Sequence, residues 1–162
     1  MEYNNSQIRR QDRLLSEEQA YSLLTKAEYG VLSIAGGAEG GYGIPLNFVW
    51  DRKDSIYFHC APEGRKLRLL EQQDQVSFCI VGNTNIIPHK FTTTYESILV
   101  FGSMSLHLPE EERMHALELL LDKYSPHDKT IGLQYAVKSF HRTAIMRLDI
   151  KSVSGKSKSA SI

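Results

Sequence analysis

The segment Tyr57-Phe58-His59-Cys60-Ala61-Pro62-Glu63-Gly64-Arg65-Lys66-Leu67 gathers the residue types best suited to chemistry. An apolar run that reads as a strand ends at Ala61, and a short loop with Pro62 and Gly64 follows. Two cations, Arg65 and Lys66, then lead into a short helical pattern. Main-chain N–H groups at a helix start, with Arg and Lys beside them, suit a phosphate. His59 lies on the strand leading into this loop, changes charge near neutral pH and can face the same ligand. A solvated Arg-Lys pair beside a packed core histidine is the plainer reading, and the residues alone leave both open. A second segment, Gly43-Ile44-Pro45-Leu46-Asn47, sets a proline inside a strand pattern. Proline gives no donor to a ladder, so it marks an edge, a bulge or a strand facing a ligand. A plain edge strand also explains it.

Other chemistries find little support. His89, His107, His115, His127 and His141 are scattered without metal-ligand spacing. The serines form no nucleophile elbow, and the glycines at 36–41 lack the strand–helix context of a dinucleotide fingerprint. Cys60 and Cys79 each sit in an apolar run and read as buried thiols in a reducing cytoplasm. A disulfide between them requires neighbouring strands. Lys plus Arg equals Asp plus Glu at 19 each, so the formal net charge is zero. That removes the general electrostatic argument for nucleic acid or an anionic membrane, though not for one basic pocket. Residues 1–12 are polar, with no apolar leader pattern, and no apolar run approaches membrane-span length. The expectation is a cytoplasmic protein without a nucleic-acid or membrane partner.

These candidate residues need a scaffold. The 162 residues suit one domain, and 41% hydrophobic content suffices for a core. Residues 1–13 read as a flexible arm, 14–151 as the domain and 152–162 as a Ser/Lys-rich tail, disordered at its end. Ser16 with Gln19 three residues on has capping-box spacing and predicts a helix. Six strands are expected: Tyr29–Ile34, Tyr42–Trp50, Ser55–Ala61, Val76–Val81, Tyr95–Leu106 and Thr143–Ile150. Helical patterns cover Leu67–Gln72, Pro109–Tyr124 and Gln134–Phe140. Strands at short intervals with turn signals between them predict an antiparallel sheet or barrel with helices, a mainly β fold of α+β type.

Taken in order, several segments resemble the pyridoxamine 5′-phosphate oxidase-related FMN-binding proteins, and within them the nitroimidazole-resistance branch. They are Tyr29-Gly30-Val31-Leu32-Ser33, Ile44-Pro45-Leu46-Asn47-Phe48, Ile56-Tyr57-Phe58-His59-Cys60-Ala61 and Gly64-Arg65-Lys66-Leu67. Val76-Ser77-Phe78-Cys79, Phe91-Thr92-Thr93, Tyr95 to Gly102, Arg142-Thr143-Ala144-Ile145 and Ser154-Gly155-Lys156 continue the series.

The resemblance implies a six-stranded antiparallel FMN-binding split β-barrel that forms a homodimer, with FMN in a groove between subunits. Pro45, Leu46 and Asn47 would line the flavin ring. His59, Cys60 and Ala61 would line the ribityl and phosphate side, and Arg65 and Lys66 would hold the phosphate. Tyr95, Glu96 and Ser97 would come from the opposite wall, from the same or the partner subunit. His59 matches the active-site histidine of the nitroimidazole-resistance proteins. The implied function is an FMN-dependent oxidoreductase acting on a small molecule, a nitroimidazole or other nitroaromatic among them, with an external electron donor. The alternative is a haem- or flavin-binding protein without turnover of its own. No counterpart of the arginine and histidine pattern that holds pyridoxal phosphate in the true oxidases occurs near the C-terminus, which speaks against vitamin B6 oxidation.

Overall fold

The computed structural model describes residues 1–159. The chain runs β1 (Glu2–Tyr3), α1 (Glu17–Lys26), β2 (Tyr29–Ile34), β3 (Tyr42–Asn47), β4 (Val49–Trp50), β5 (Ser55–Cys60), α2 (Arg65–Leu70), β6 (Gln75–Ile87), β7 (Thr92–Ser105), α3 (Glu110–Tyr124), α4 (Lys129–Ser139) and β8 (Ala144–Lys158). All eight strands form one sheet in the order β3-β2-β6-β7-β8-β5-β4, antiparallel throughout except for β1, which lies parallel to β8.

The expected count of six strands becomes eight for two local reasons. The predicted strand Tyr42–Trp50 breaks at Phe48 into β3 and β4, and the N-terminal arm contributes β1. The ladder is not closed. Its two terminal strands, β3 and β4, are nevertheless consecutive in the chain, so one bent stretch pairs with β2 on one side and with β5 on the other. The barrel is therefore split where β3 parts from β5.

The expected tail also differs. Residues 152–158 continue β8, pairing with β7 over Tyr95–Phe101, while Ser152 and Val153 also pair with β1. The last residues, 160–162, where disorder is expected, lie outside the described residues.

Alternation along each strand sorts side chains into an inner and an outer face. Leu32, Phe58, Phe78, Ile80, Ile98 and Val100 point inward. At the centre Phe78 meets Phe48 and Phe58 edge-to-face, with centroids 5.1 and 5.0 Å away. α1 closes one end of the barrel with Ala20, Leu23 and Leu24. Its N-terminus carries the expected capping box: the Ser16 hydroxyl accepts from Gln19 N–H, and the Gln19 side chain accepts from Ser16 N–H.

On the outer face the two halves of the sheet differ. Val49, Tyr57 and Ile145 form a second, smaller core with Ala116 and Leu120 of α3. Tyr57 and Arg147 fasten the helix there, since both donate to Glu112 Oε1, at 3.0 and 2.5 Å. On the other half, Tyr29, Val31, Val81, Leu99 and Phe101 stay exposed. Among the described residues no helix is long and apolar enough to cross a membrane.

Candidate functional site

The site begins at the break in the barrel. Phe48 is fully buried, yet its N–H and C=O stand where the ladder changes partner. Buried peptide groups need partners, and the end of α3 supplies them. Phe48 N–H donates to the Tyr124 hydroxyl at 2.9 Å. That hydroxyl lies in donating position 2.8 Å from Phe48 O and 2.6 Å from Glu28 O. Lys123 Nζ donates to Phe48 O at 2.8 Å and sits 3.7 Å from the centre of the Phe48 ring. Burial pushes Lys123 down to about 8.

Either side of this break lie Asn47 and His59. Val49 pairs with Tyr57, so His59 continues opposite Asn47 where the strands part. By parity both lie on the outer face, as does Pro45. Pro45 sits opposite Val31 on a strand that ends the sheet, so its missing N–H costs no ladder bond. Leu46 has the opposite parity and packs against the main core. The Asn47 amide donates to Glu28 O at 2.9 Å. His59 makes no hydrogen bond among the described residues, and although its side chain is exposed, surrounding protein atoms lower its pKa by desolvation, with Lys66 adding repulsion.

α2 spans the split. Its Leu70 enters the main core. The Arg65 guanidinium lies 4.7 Å from the centre of the Tyr42 ring on β3. Lys66 lies on the β5 side, close enough for its charge to act on His59 and on the Cys60 thiol, whose pKa burial nevertheless raises. Ala61 lies exposed in the loop between β5 and α2. The helix has only six residues, so the two cationic side chains, more than a helix dipole, give this end its positive charge.

Tyr95, Glu96 and Ser97 stand apart from this group within the chain. They lie on β7 opposite Lys158, Ser157 and Lys156 of β8. Glu96 accepts from the Asn83 main-chain and side-chain amides, both at 3.0 Å, and lines a separate groove of about 640 Å³ beside α1. The two cysteines are half-buried free thiols, and their strands, β5 and β6, are not neighbours. No cluster of metal-ligating side chains occurs among the described residues.

Asn47 and His59 also line a cavity of about 400 Å³ that the sequence did not signal as a whole. It continues the second core outward, with Leu117, Leu121 and Tyr124 of α3 on one wall and Gly132 and Ala136 of α4 on another. Gly132 permits close packing of the two helices, because a Cβ there would stand 2.4 Å from Leu121 Cδ2. The available sequence signal was the pair of small residues at i and i+4, Gly132 and Ala136, which marks one face of α4 for close approach. Tyr124 and Lys123 gave no such signal, since as residues they read only as the end of a helix.

A family model described as pyridoxamine 5′-phosphate oxidase matches residues 16–157. No curated protein matches the chain at a significant level. Among solved structures, the chain is similar to a candidate 5-nitroimidazole antibiotic resistance protein from Bacteroides thetaiotaomicron, with 18% identity and a TM-score of 0.71 over 90% of this chain and 86% of that one. It is similar to a FAD-binding protein from Mesorhizobium loti, with 22% identity and a TM-score of 0.64 over 91% and 98%. It also resembles a FAD and heme binding protein from Mycobacterium smegmatis, with 16% identity and a TM-score of 0.73 over 90% and 72%. At these identities the likeness speaks for the fold.

Proposed function

The chain belongs to the pyridoxamine 5′-phosphate oxidase family, and from that premise we propose that it binds FMN along the split between β3 and β5 and serves as an oxidoreductase for a small molecule. The observation that carries this reading is the line of groups along the split. Asn47 and His59 lie at one end, and Arg65, over Tyr42, lies at the other. Tyr42 and Asn47 are five residues apart on one strand, about 17 Å at strand rise. Such a span suits a ligand with a ring at one end and a phosphate at the other. The donor set also fits: Arg65, over Tyr42, offers a cation at the phosphate end and Lys66 adds a second between it and His59, and the His59 ring nitrogens can donate and accept beside a ring. Bound there, the flavin would supply hydride and electron transfer. The chain's part is to fix the phosphate, present His59 and keep the ring's surroundings dry.

On this reading the electrons come from an external donor, and a nitroaromatic is the favoured acceptor, supported by the likeness to the Bacteroides protein. Tyr95, Glu96 and Ser97 reach the groove from a second subunit, laid against the exposed apolar half of the sheet. FMN is favoured over FAD because no adenosine-binding fingerprint occurs in the sequence. Haem has the weaker support of neighbours such as the Mycobacterium smegmatis protein, described as binding both FAD and heme.

An absorption spectrum of the purified protein, before and after added FMN, tests the reading. Oxidised-flavin bands with saturable uptake support it. A Soret band, or no visible band and no uptake of FMN or FAD, overturns it. Arg65→Ala with Lys66→Ala is expected to weaken FMN binding at least tenfold with an unchanged circular dichroism spectrum. Unchanged affinity removes the phosphate assignment.

A further inference from the structure

The cavity under α3 and α4 has a composition unlike the rest of the surface. Its volume of about 400 Å³ falls in the range of small-molecule sites, about 300–1,000 Å³. Not one Asp, Glu, Lys or Arg lines it. Leu117, Leu120, Leu121 and Ala136 are the aliphatic side chains of its wall.

The polar groups at its edge are mostly engaged within the chain. The Asn47 amide donates to Glu28 O, and the Tyr124 hydroxyl is shared between Phe48 and Glu28. The Ser139 and Thr143 hydroxyls donate to Tyr135 O and Ser139 O, at 2.8 and 3.1 Å. Among the described residues the His59 ring and the Ser125 hydroxyl are the lining groups that make no hydrogen bond within the chain, and His59 keeps capacity on both ring nitrogens. Lys66 lies near His59 but outside the lining.

We infer that this cavity binds one compact, uncharged, mostly apolar molecule whose single polar group hydrogen-bonds to His59. A charged ligand would exchange its hydration for leucine side chains and a few hydroxyls, most of them already bonded within the chain, with no counter-ion in the wall to offset the loss. An apolar ligand loses nothing comparable and removes leucine surface from water. A phosphorylated vitamin does not suit such a wall, whereas a small neutral ring compound does. That the bound molecule is the substrate rests on the flavin reading above; the binding itself does not.

The test is calorimetric titration of the purified full chain with 2-naphthol and with its carboxylate counterpart, 2-naphthoate, at neutral pH. The wild type is expected to bind 2-naphthol saturably at one site and 2-naphthoate at least tenfold more weakly. Ala136→Trp fills the cavity from α4 and is expected to weaken 2-naphthol at least tenfold. Ala136→Leu, a smaller filler, serves if the Trp variant does not reproduce the wild-type circular dichroism spectrum. No 2-naphthol binding by the wild type overturns the inference, as does 2-naphthoate binding of equal strength, or unchanged 2-naphthol binding in a folded filled variant. FMN uptake is measured on the same samples. Loss of 2-naphthol binding with FMN uptake intact places the ligand beside the flavin. Absence of FMN and FAD uptake from the wild type removes the substrate role, while the 2-naphthol comparison still decides the cavity.

Discussion

At the scale of single residues, His59 is governed by its surroundings more than by any partner. Desolvation lowers its pKa first and the Lys66 charge second. The unfolded chain then binds more protons than the folded one between the lowered value and about 6.5, the ordinary histidine value. Stability consequently rises with pH through that window, and it falls on acidification as His59 takes up a proton in a place unsuited to charge. Lys66→Met removes only the second cause, so the His59 titration followed by NMR is expected to move up part of the way toward the ordinary value. No movement would mean that Lys66 and His59 do not share the site as described. The sequence carried the identities of these residues well. The motif from His59 to Lys66 singled out the region, and the structure brings His59 to Asn47. It could not show that Leu46 faces the core while Pro45 and Asn47 face outward, because the parity of a strand is fixed only by what packs against it.

At the scale of elements, the hinge of the fold is one peptide unit. At Phe48 the chain passes from the β2 ladder, which ends at Asn47, to the β5 ladder, which begins at Val49, and the Tyr124 hydroxyl satisfies groups on both sides of that change. Tyr124→Phe leaves the buried Phe48 N–H without its partner and is expected to cost about 1–3 kcal/mol in chemical denaturation. Asn47 is anchored to the same Glu28 carbonyl that Tyr124 touches, so the cavity should loosen with it. A variant as stable as the wild type would mean that water replaces the hydroxyl without loss. Element boundaries show why part of this was illegible in sequence. β2 and the capped start of α1 stood out because alternation and a capping box are local signals. The extensions of β6 to Ile87 and of β8 to Lys158 did not. Gly82-Asn83-Thr84-Asn85 and Ser152 to Lys158 are polar and lack alternation, and they form strands because a partner lies alongside. The break at Phe48 was hidden for the same reason, since Tyr42–Trp50 is uniformly strand-like until two different neighbours compete for it.

At the scale of the whole molecule, the sheet is covered on one outer half and bare on the other. α3, with α4 packed against it, covers the half that holds β4 and β5, while Tyr29 at 58% and Val81 at 57% exposure, with Val31, Leu99 and Phe101, crowd the half that holds β2, β6 and β7. Contiguous apolar surface of this kind marks an interaction site, and a formal net charge of zero sets up no strong self-repulsion between copies. The same bare half carries Ser97 and lies beside Pro45, so a second copy laid on it would bring Tyr95, Glu96 and Ser97 to the split of its partner. The proposed groove then needs both chains, and assembly and flavin affinity should fail together. Sedimentation equilibrium is expected to give the wild type the mass of two 18.4 kDa chains. Val31→Glu with Leu99→Glu, two charges facing each other's copies across the bare sheet, is expected to give one chain and at least tenfold weaker FMN binding, with an unchanged circular dichroism spectrum. A double variant that remains dimeric would place the subunit contact elsewhere. A monomeric variant that binds FMN as tightly as the wild type would confine the flavin site to one chain, leaving Tyr95, Glu96 and Ser97 without a part in it.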